Sequence, residues 1–368
     1  MQDFPYNPEA EKNISYPWFD WLRFGLASVV VLGHAGFQFA PFLTGELAVD
    51  VFFALSGWLI GGILLRTEFS ELPRFFFNRA TRIWIPYGLA LILLYGIAAL
   101  REGINFFWVK YLVMDATFTH QLFTFFPVAK FEMPLDGSGN QFWSLAVEEQ
   151  FYLLAPLVML FSPWGKTLAV WLPISAVMVL IESHAGPITL GVLAAILQRD
   201  YGIVGRNWVP VLALVLAMAS ALALSLDRAN SQWLSGPVFA VTVVVFLALP
   251  GRRSKIAQFF GGLSFPLYLN HWLGLAFVTG TAKHLGLLEL PGLSFIAYFT
   301  AVFFTIPLYW LVDHQVMQRR NEWYTRTLGW RLGQVAYILV ITGIIIGYAL
   351  YQFGPHGVVP EEFQAISQ

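Results

Sequence analysis

The sequence predicts an all-α protein, a polytopic transmembrane helical bundle of about ten or eleven spans with a cytoplasmic N-terminus. Of its 368 residues, 57% are hydrophobic and only 12% are charged, whereas a soluble domain normally carries about 25% charged residues. Apolar runs of about 20 residues recur from Trp18 to Phe353, and each is long enough to cross a hydrocarbon layer of roughly 30 Å. These two observations argue against an ordinary soluble fold.

The apolar runs define the predicted spans, and the loops between them indicate the orientation. The spans are expected at residues 17–39, 47–65, 83–100, 143–161, 167–183, 185–198, 208–226, 233–249, 257–279, 293–312 and 333–353. Most Lys and Arg residues between spans fall in one set of alternate loops, which the positive-inside rule places in the cytoplasm. The N-terminus is then cytoplasmic, and the C-terminus lies outside.

The stretch 101–142 does not fit a simple span. It is rich in Phe but also contains Pro134 and the flexible run DGSGN. We expect an external loop with interfacial helices, and a re-entrant segment is the alternative. A full crossing is disfavoured, because it would move every later loop to the other side and remove the charge bias.

The first span contains two ionisable residues, Arg23 and His34. Their spacing makes three helical turns plus about 20°, so both side chains share one face of the helix. Ionisable groups inside a membrane usually face a polar cavity; the alternative is a snorkelling Arg and a His bonded to a neighbouring carbonyl. The shared face favours a polar conduit, and histidine is well suited to proton transfer near neutral pH.

A second polar cluster lies in the fourth predicted span, within the run NQFWSLAVEEQFY at residues 140–152. Glu148 and Glu149 point about 100° apart, so both cannot face lipid. We expect one to face the cavity and the other to face an adjoining helix. Ser144, Glu148 and Tyr152 share one helical face. A structural glutamate that pairs with a buried Arg is the alternative.

Two further clusters are candidates for binding. Arg79 and Arg82 lie three residues apart at the cytoplasmic start of the third span, with Arg74 nearby. Arg suits phosphate because of its fork of donors, although topology alone also places Arg at this position. Asn270 and His271 lie in the ninth span, where polar groups hydrogen-bonded between helices are the simpler interpretation.

In this order, the motifs resemble the acyltransferase-3 family of bacterial integral membrane acyltransferases. The similar features are Arg23 and His34 as R-x10-H, DVFFALSGWLI at 50–60, RATR at 79–82, WSLAVEEQFYLLAP at 143–156 and SFPLYLNHW at 264–272. The chain resembles a stand-alone, membrane-only member. We expect an N-terminal cytoplasmic segment 1–16, the acyltransferase-3 transmembrane domain 17–313, a basic cytoplasmic loop 314–332, an additional C-terminal helix 333–353 and a tail 354–368.

The resemblance implies an acyl-CoA-dependent O-acetyltransferase. Such an enzyme would move an acyl group, by default acetyl, from acetyl-CoA to a hydroxyl of a cell-surface saccharide such as an O-antigen or exopolysaccharide. We expect a multi-pass protein of the bacterial inner membrane whose partners are acetyl-CoA, a saccharide acceptor and the lipid bilayer, with no metal and no nucleic acid. Arg74, Arg79 and Arg82 would hold the donor phosphates, and Arg23 would line the path of the donor.

The resemblance also implies that catalysis centres on His34, together with Glu148 and Arg23. His34 would act as a general base or as a transient acyl carrier, and Glu148 would orient it or stabilise its charge. Candidates for oxyanion stabilisation or substrate contact are Ser56, Trp143, Ser144, Tyr152, Asn270 and His271.

Two alternatives stay open on the sequence. The acceptor hydroxyl could belong to a lipid, a peptide or a macrolide. A proton-coupled transporter would also contain intramembrane Arg, His and Glu, with helices broken at Pro86, Pro173 and Pro187, but no inverted repeat is visible. The chain has no cysteine, which excludes thiolate catalysis and a Cys-bound metal.

Overall fold

The protein is represented by a computed structural model that describes residues 16–123, 128–252 and 254–355. Within these ranges the chain is helical and contains no strand, which confirms the predicted fold class. The predicted N-terminal segment 1–16 and the tail 354–368 lie almost entirely outside the described residues.

Each predicted span corresponds to a helix, and further short helices lie between the third and fourth spans. In chain order the helices are α1 (Pro17–His34), α2 (Gly45–Arg66), α3 (Leu72–Glu102), α4 (Phe106–Ala116), α5 (His120–Phe123), α6 (Val128–Glu132), α7 (Pro134–Gly137), α8 (Phe142–Phe161), α9 (Leu168–Leu180), α10 (Ala185–Tyr201), α11 (Trp208–Leu226), α12 (Arg228–Leu247), α13 (Lys255–Leu285), α14 (Leu293–Leu308), α15 (His314–Trp323) and α16 (Arg326–Phe353). A π-helical turn, Tyr309–Asp313, joins α14 to α15.

Seven helical segments in the described part of the chain are long and apolar enough to cross a membrane. They are Gly45–Arg66, Phe69–Glu102, Phe142–Phe161, Trp208–Leu226, Arg228–Leu247, Leu293–Trp323 and Arg326–Phe353. The protein is therefore a multi-pass helical membrane protein. Outside this set are α9 and α10, with 13 and 17 residues, and α1 and α13, with 18 and 31 residues. Both α1 and α13 carry ionisable residues, as helices that line a polar site do.

Helix α2 is packed on several sides and holds the site together. It contacts α1, α10 and α12, and α1 in turn packs against α13. Gly57 of α2 permits the close approach of α10, because a Cβ at this position would lie 1.9 Å from the carbonyl oxygen of Ile188. The small residue therefore lets two backbones meet, which is the usual device at helix interfaces in membranes.

The stretch 101–142 enters the bundle, so its interpretation as an external loop is wrong. Phe118 stacks on Tyr87 of α3 with ring centroids 5.2 Å apart, and Tyr87 lies about 22 Å along the helix axis from Glu102. The chain then returns, because the backbone N–H of Leu135 donates to the Glu102 carboxylate at 3.1 Å. The segment is therefore re-entrant, and both of its ends lie on one side.

Buried polar side chains inside this re-entrant segment are paired with one another. Lys110 and Glu132 form a buried salt bridge of 2.5 Å. The Asp115 carboxylate accepts a hydrogen bond from Tyr95 at 2.6 Å and lies 2.8 Å from Nδ1 of His120. Irregular backbone at membrane depth is tolerated only where protein encloses it and supplies polar partners. The network supplies such partners for Lys110, Glu132 and Asp115, whereas Nε2 of His120 has none among the described residues.

The prolines do not break helices as the transporter alternative requires. Pro86 lies inside the continuous helix α3, and Pro173 lies inside α9. Pro187 falls in the first turn of α10, where the missing N–H has no intrahelical partner to lose. Discontinuous helices at these three positions are therefore absent.

The C-terminal helix α16 packs against α3 and against the re-entrant helices α4 and α5. At Gly343 the contact is close, because a Cβ there would lie 2.3 Å from the Thr117 hydroxyl oxygen. The opposite face of α16 is exposed, as at Ile345. The glycine therefore lets α16 hold the re-entrant segment in place.

We predict that Gly343→Leu destabilises the protein by about 1–3 kcal/mol, because the added side chain overlaps Thr117. Thermal unfolding of the detergent-solubilised protein should show a lower midpoint temperature. Ile345→Leu, on the exposed face of the same helix, should leave the midpoint unchanged. Equal midpoints for both variants would contradict this packing.

Candidate active site

The end of α1 brings His34 against His271 of α13. Nδ1 of His34 lies 2.8 Å from Nε2 of His271, and the two rings are stacked with centroids 5.0 Å apart. His34 is the last residue of α1 and is exposed, whereas His271 is buried within α13. The pair forms because α1 and α13 pack against each other.

When both rings of this pair are neutral, their hydrogen bonds determine which nitrogen of each ring carries the proton. Nδ1 of His271 lies 2.8 Å from the carbonyl oxygen of Tyr268, and a carbonyl can only accept, so this nitrogen carries the proton. Nε2 of His271 is then an acceptor, and Nδ1 of His34 donates to it. Nε2 of His34 consequently keeps its lone pair. The arrangement assigns the tautomer that a general base requires.

His34 lines a cavity of about 340 Å³ formed by the ends of α1, α13 and α14, a volume within the roughly 300–1,000 Å³ of small-molecule sites. Thr279, Glu289 and Ser294 are polar residues of its wall. The Ser294 hydroxyl donates to the Ala35 carbonyl at 2.7 Å, which fixes the start of α14 to the end of α1. In the predicted orientation, this cavity lies on the external side.

Glu148 does not pair with His34, so the predicted role of this carboxylate as the partner of His34 is wrong. One oxygen of Glu148 accepts from the Ser56 hydroxyl at 2.5 Å, and the other accepts from Tyr152 at 3.2 Å. The nitrogen partner of His34 comes from His271 instead. Spacing along α8 placed Glu148 on a polar face, but it could not determine which helix that face meets.

The two adjacent glutamates face different surroundings, as expected. Glu149 is buried and accepts a hydrogen bond at 2.8 Å from the indole N–H of Trp84, on the adjoining helix α3. Glu148 is half-buried among polar and charged groups. Glu149 thus contacts an adjoining helix, as expected for one of the two, whereas the contacts of Glu148 are with Ser56 and Tyr152, so the expectation that the other glutamate faces the cavity stays a prediction.

The remaining three candidates, Trp143, Ser144 and Asn270, make contacts that do not include His34. Ser144 is buried and lies 2.6 Å from the Tyr268 hydroxyl, so it supports the residue whose carbonyl holds His271. The Asn270 amide donates to the Pro266 carbonyl within α13. The Trp143 ring packs 4.6 Å from that of His184. The hydrogen bonds of Ser144 and Asn270 thus lead away from His34, although both residues were candidates for the oxyanion or the substrate.

The predicted phosphate-binding arginines form a cluster with Glu148. The guanidinium of Arg79 interacts electrostatically with Arg82 and Glu148, and it lies 5.9 Å from the ring centroid of Tyr152. Glu148 also interacts electrostatically with Arg82 and Arg23. Arg23 therefore belongs to this cationic group, and its guanidinium lies 3.8 Å from Asp20.

Among the arginines of α3, Arg74 lies closest to the start of the helix. Its guanidinium is hydrogen-bonded to Asn321 and is positioned 4.3 Å from the ring centroid of Tyr324. Both partners come from the chain around α15, near the C-terminus. This contact could not be predicted from the sequence, because 247 residues separate Arg74 and Asn321.

Three residues of the site were not singled out from the sequence. Tyr268 supplies the carbonyl for His271, Glu289 lines the cavity, and Arg320 interacts electrostatically with the arginines of α3. The positive-inside rule alone accounts for the basic composition of residues 314–332, so the sequence did not indicate a place for Arg320 in the site. Among the residues with described positions, no group of three His, Asp or Glu side chains could hold a metal ion.

Comparison with known proteins identifies the family of this fold. A family model described as an acyltransferase domain matches residues 16–314. The provisionally named O-acetyltransferase SACOL0978 of Staphylococcus aureus (strain COL) is 34% identical over 150 residues, covering 37% of this chain and 24% of the relative. The peptidoglycan O-acetyltransferase OatA of Listeria monocytogenes serovar 1/2a is 31% identical over 159 residues, covering 41% and 25%.

A third relative is similar over a comparable length. The O-acetyltransferase OatA of Staphylococcus aureus (strain NCTC 8325 / PS 47) is 32% identical over 160 residues, covering 39% of this chain and 25% of the relative. The chain thus matches about a quarter of the length of these curated relatives. No solved structure matches the chain.

We predict that His34 and His271 are both protonated at Nδ1 when neutral. Nitrogen-15 NMR of histidine-labelled protein should show this, with signals assigned by single substitutions of the seven histidines. His271→Gln places an amide oxygen where Nε2 lies and should preserve the His34 tautomer. His271→Asn is too short to accept this bond, so His34 should then populate both tautomers. A proton on Nε2 of His34 in the unmodified protein would contradict the assignment.

Proposed function

This chain belongs to the acyltransferase family whose domain matches residues 16–314, and we propose that it is a membrane-embedded O-acetyltransferase. It would transfer acetyl from cytoplasmic acetyl-CoA to a saccharide hydroxyl outside the bacterial inner membrane. The observation that carries the proposal is the hydrogen bond of His34 to His271 beside the cavity, from which we infer a lone pair on Nε2 of His34. The names of the relatives support an O-linked product, and one of these names specifies peptidoglycan, a saccharide polymer.

In the direct route, His34 acts as the general base. Nε2 removes the proton of the acceptor hydroxyl while the oxygen attacks the carbonyl carbon of the thioester. The carbon–sulfur bond then breaks, and the departing thiolate takes the proton back from Nε2. Throughout these steps, Nδ1 of His34 remains bonded to His271, so the ring keeps its orientation. General base catalysis of this kind typically contributes about 10²–10⁴-fold in rate.

A second route uses the same lone pair as a nucleophile. Nε2 of His34 attacks the thioester carbonyl, the thiolate leaves, and an acetyl-histidine forms. The acceptor hydroxyl then attacks this acetyl group, the bond between Nε2 and the acetyl carbon breaks, and the hydroxyl proton passes through Nε2 to the thiolate of CoA. Both routes require the tautomer that His271 imposes. They differ in whether labelled acetyl can be trapped on His34 in the absence of an acceptor.

The arginines provide an attachment for the donor at the opposite end of α1. Arg82 and Arg23 interact electrostatically with Glu148, and Arg23 lies about 16 Å from His34 along the axis of α1. We place the phosphates of CoA among these guanidinium groups, because Arg binds phosphate with paired hydrogen bonds. The thioester end would then extend along α1 towards His34, where it meets an acceptor that enters from the external side.

Glu148 has a different role from the one that the sequence indicated. Its carboxylate accepts from Ser56 and Tyr152 and balances the nearby positive charges of Arg82 and Arg23. A cluster of guanidinium groups inside a membrane requires such a counter-charge. We therefore propose that Glu148 positions the donor end, and that it acts on Ser56 and Tyr152 instead of on the imidazole.

We predict that His34→Ala lowers acetyl transfer by at least about 100-fold, because the reacting lone pair is lost. The assay measures alkali-labile radioactivity that passes from labelled acetyl-CoA to purified envelope glycan, with full-length protein in membranes. His284→Ala removes an exposed histidine of the same helix that carries His271 and should have no effect. Similar activity in both variants would reject His34 as the reacting residue.

The same assay separates His271 from a merely structural residue. His271→Gln, which can still accept from His34, should retain more kcat than His271→Asn, and neither variant should change the KM for acetyl-CoA. A loss that is equal in both variants would show that the hydrogen bond to His34 is not what matters at this position.

We predict that the double variant Arg79→Gln with Arg82→Gln raises the KM for acetyl-CoA by about tenfold or more, since charged hydrogen bonds contribute about 1.5–3 kcal/mol each. The kcat should change less, because His34 is untouched. Arg101→Gln, an exposed arginine at the other end of α3, is the matched control. An unchanged KM in the double variant would show that the two arginines do not bind the donor and serve only the topology of the protein.

A further inference from the structure

Helix α15 lies beyond the matched acyltransferase domain, yet it contributes a side chain to the arginine cluster. The domain match ends at residue 314, and α15 spans His314–Trp323. Arg319 is exposed on this helix, whereas the next residue, Arg320, is half-buried. The helix packs against α3, and this contact turns Arg320 towards the arginines of α3.

The charges around Arg320 are mostly of its own sign. Its guanidinium interacts electrostatically with Arg82 and Arg74, and also with Arg79. The hydrogen bond of Arg320 to protein is a long one, 3.5 Å to the carbonyl oxygen of Asn78. Like charges that are held together and removed from water cost free energy unless an anion compensates them. This arrangement therefore favours the binding of an anion.

Unused donor groups point to the same conclusion. Nε of Arg320 and Nε of Arg79 are both buried and have no hydrogen-bond partner among the described residues. A buried donor without an acceptor is costly, and such groups in a native protein usually have a partner. Arginine presents its donors in a planar fork that matches phosphate oxygens. Phosphate groups bound beside Arg320 and beside Arg79 would each satisfy one of these nitrogens.

Contacts within the protein already hold Arg74 in position. Arg74 is hydrogen-bonded to Asn321, which directly follows Arg320, and lies 4.3 Å from the ring centroid of Tyr324, four residues after Arg320 in the sequence. A guanidinium that is fixed in this way loses less entropy when a ligand binds. The segment around α15 therefore adds one arginine and orients another.

We propose that Arg320 and Arg74 form a separate phosphate subsite that binds the 3′-phosphate of the CoA ribose. This inference rests on the proposed function, in which acetyl-CoA is the donor. Arg74 lies eight residues before Arg82 on α3, or about 12 Å along the axis, which is far enough to separate two phosphate positions. The deeper arginines, Arg79 and Arg82, then bind the pyrophosphate, which is nearer to the thioester and to His34.

The test compares the affinities of two ligands that differ only in the 3′-phosphate. Binding of CoA and of 3′-dephospho-CoA to the full-length protein in detergent is measured by calorimetry. Arg320→Gln should weaken CoA by about tenfold or more, as for the loss of a charged hydrogen bond, and should leave 3′-dephospho-CoA unchanged. Arg319→Gln, which removes the same charge from the exposed neighbouring position, should bind both ligands as the unmodified protein does.

The outcomes distinguish this inference from the proposed function. Unchanged binding of 3′-dephospho-CoA shows that Arg320→Gln is folded. If the variant loses affinity for both ligands equally, or for neither, the assignment of Arg320 to the 3′-phosphate is overturned while CoA remains the donor. If the unmodified protein binds neither ligand, the donor of the proposed function is wrong, and this inference fails with it.

Discussion

The hydrogen bond between His34 and His271 is the interaction on which the proposed chemistry depends. It joins α1 to α13 across 237 residues of sequence, and its direction is set by the carbonyl of Tyr268 behind it. An imidazole without this partner could place its proton on either nitrogen, so only part of the molecules would have the lone pair at Nε2. The chain of two bonds removes that freedom and leaves a lone pair on Nε2 of His34, a residue that lines the cavity.

This arrangement differs from a Ser-His-Asp triad in its electrostatics. A carboxylate behind a catalytic imidazole stabilises the imidazolium that forms during proton transfer. Here the group behind His34 is a second neutral imidazole, itself backed by a carbonyl. His271 can therefore fix the orientation and tautomer of His34 without adding a buried negative charge beside it. The carboxylate of Glu148 is kept with the arginines instead, where its charge is compensated.

The surroundings of α3 show how a membrane protein can hold charge at depth. On one side, the re-entrant segment encloses the salt bridge between Lys110 and Glu132 and packs Phe118 on Tyr87. On the other side, Arg79 retains an unused buried donor. The charges of the first group are paired within the protein, so no ligand is needed to compensate them. The second is incompletely paired, which is expected of a surface that receives an anionic ligand.

Sequence periodicity was sufficient for the features that belong to one helix. The long apolar runs determined the positions of the spanning helices, and the angle between Glu148 and Glu149 separated their environments correctly. It was insufficient wherever a contact joins helices that are distant in the chain. His34 was expected to meet Glu148 and meets His271, residues 101–142 were expected outside and enter the bundle, and Arg320 was assigned only to topology. The period of a helix determines the direction of each side chain about its own axis. Which helix lies in that direction is decided by packing, through small residues such as Gly57 that let particular backbones approach.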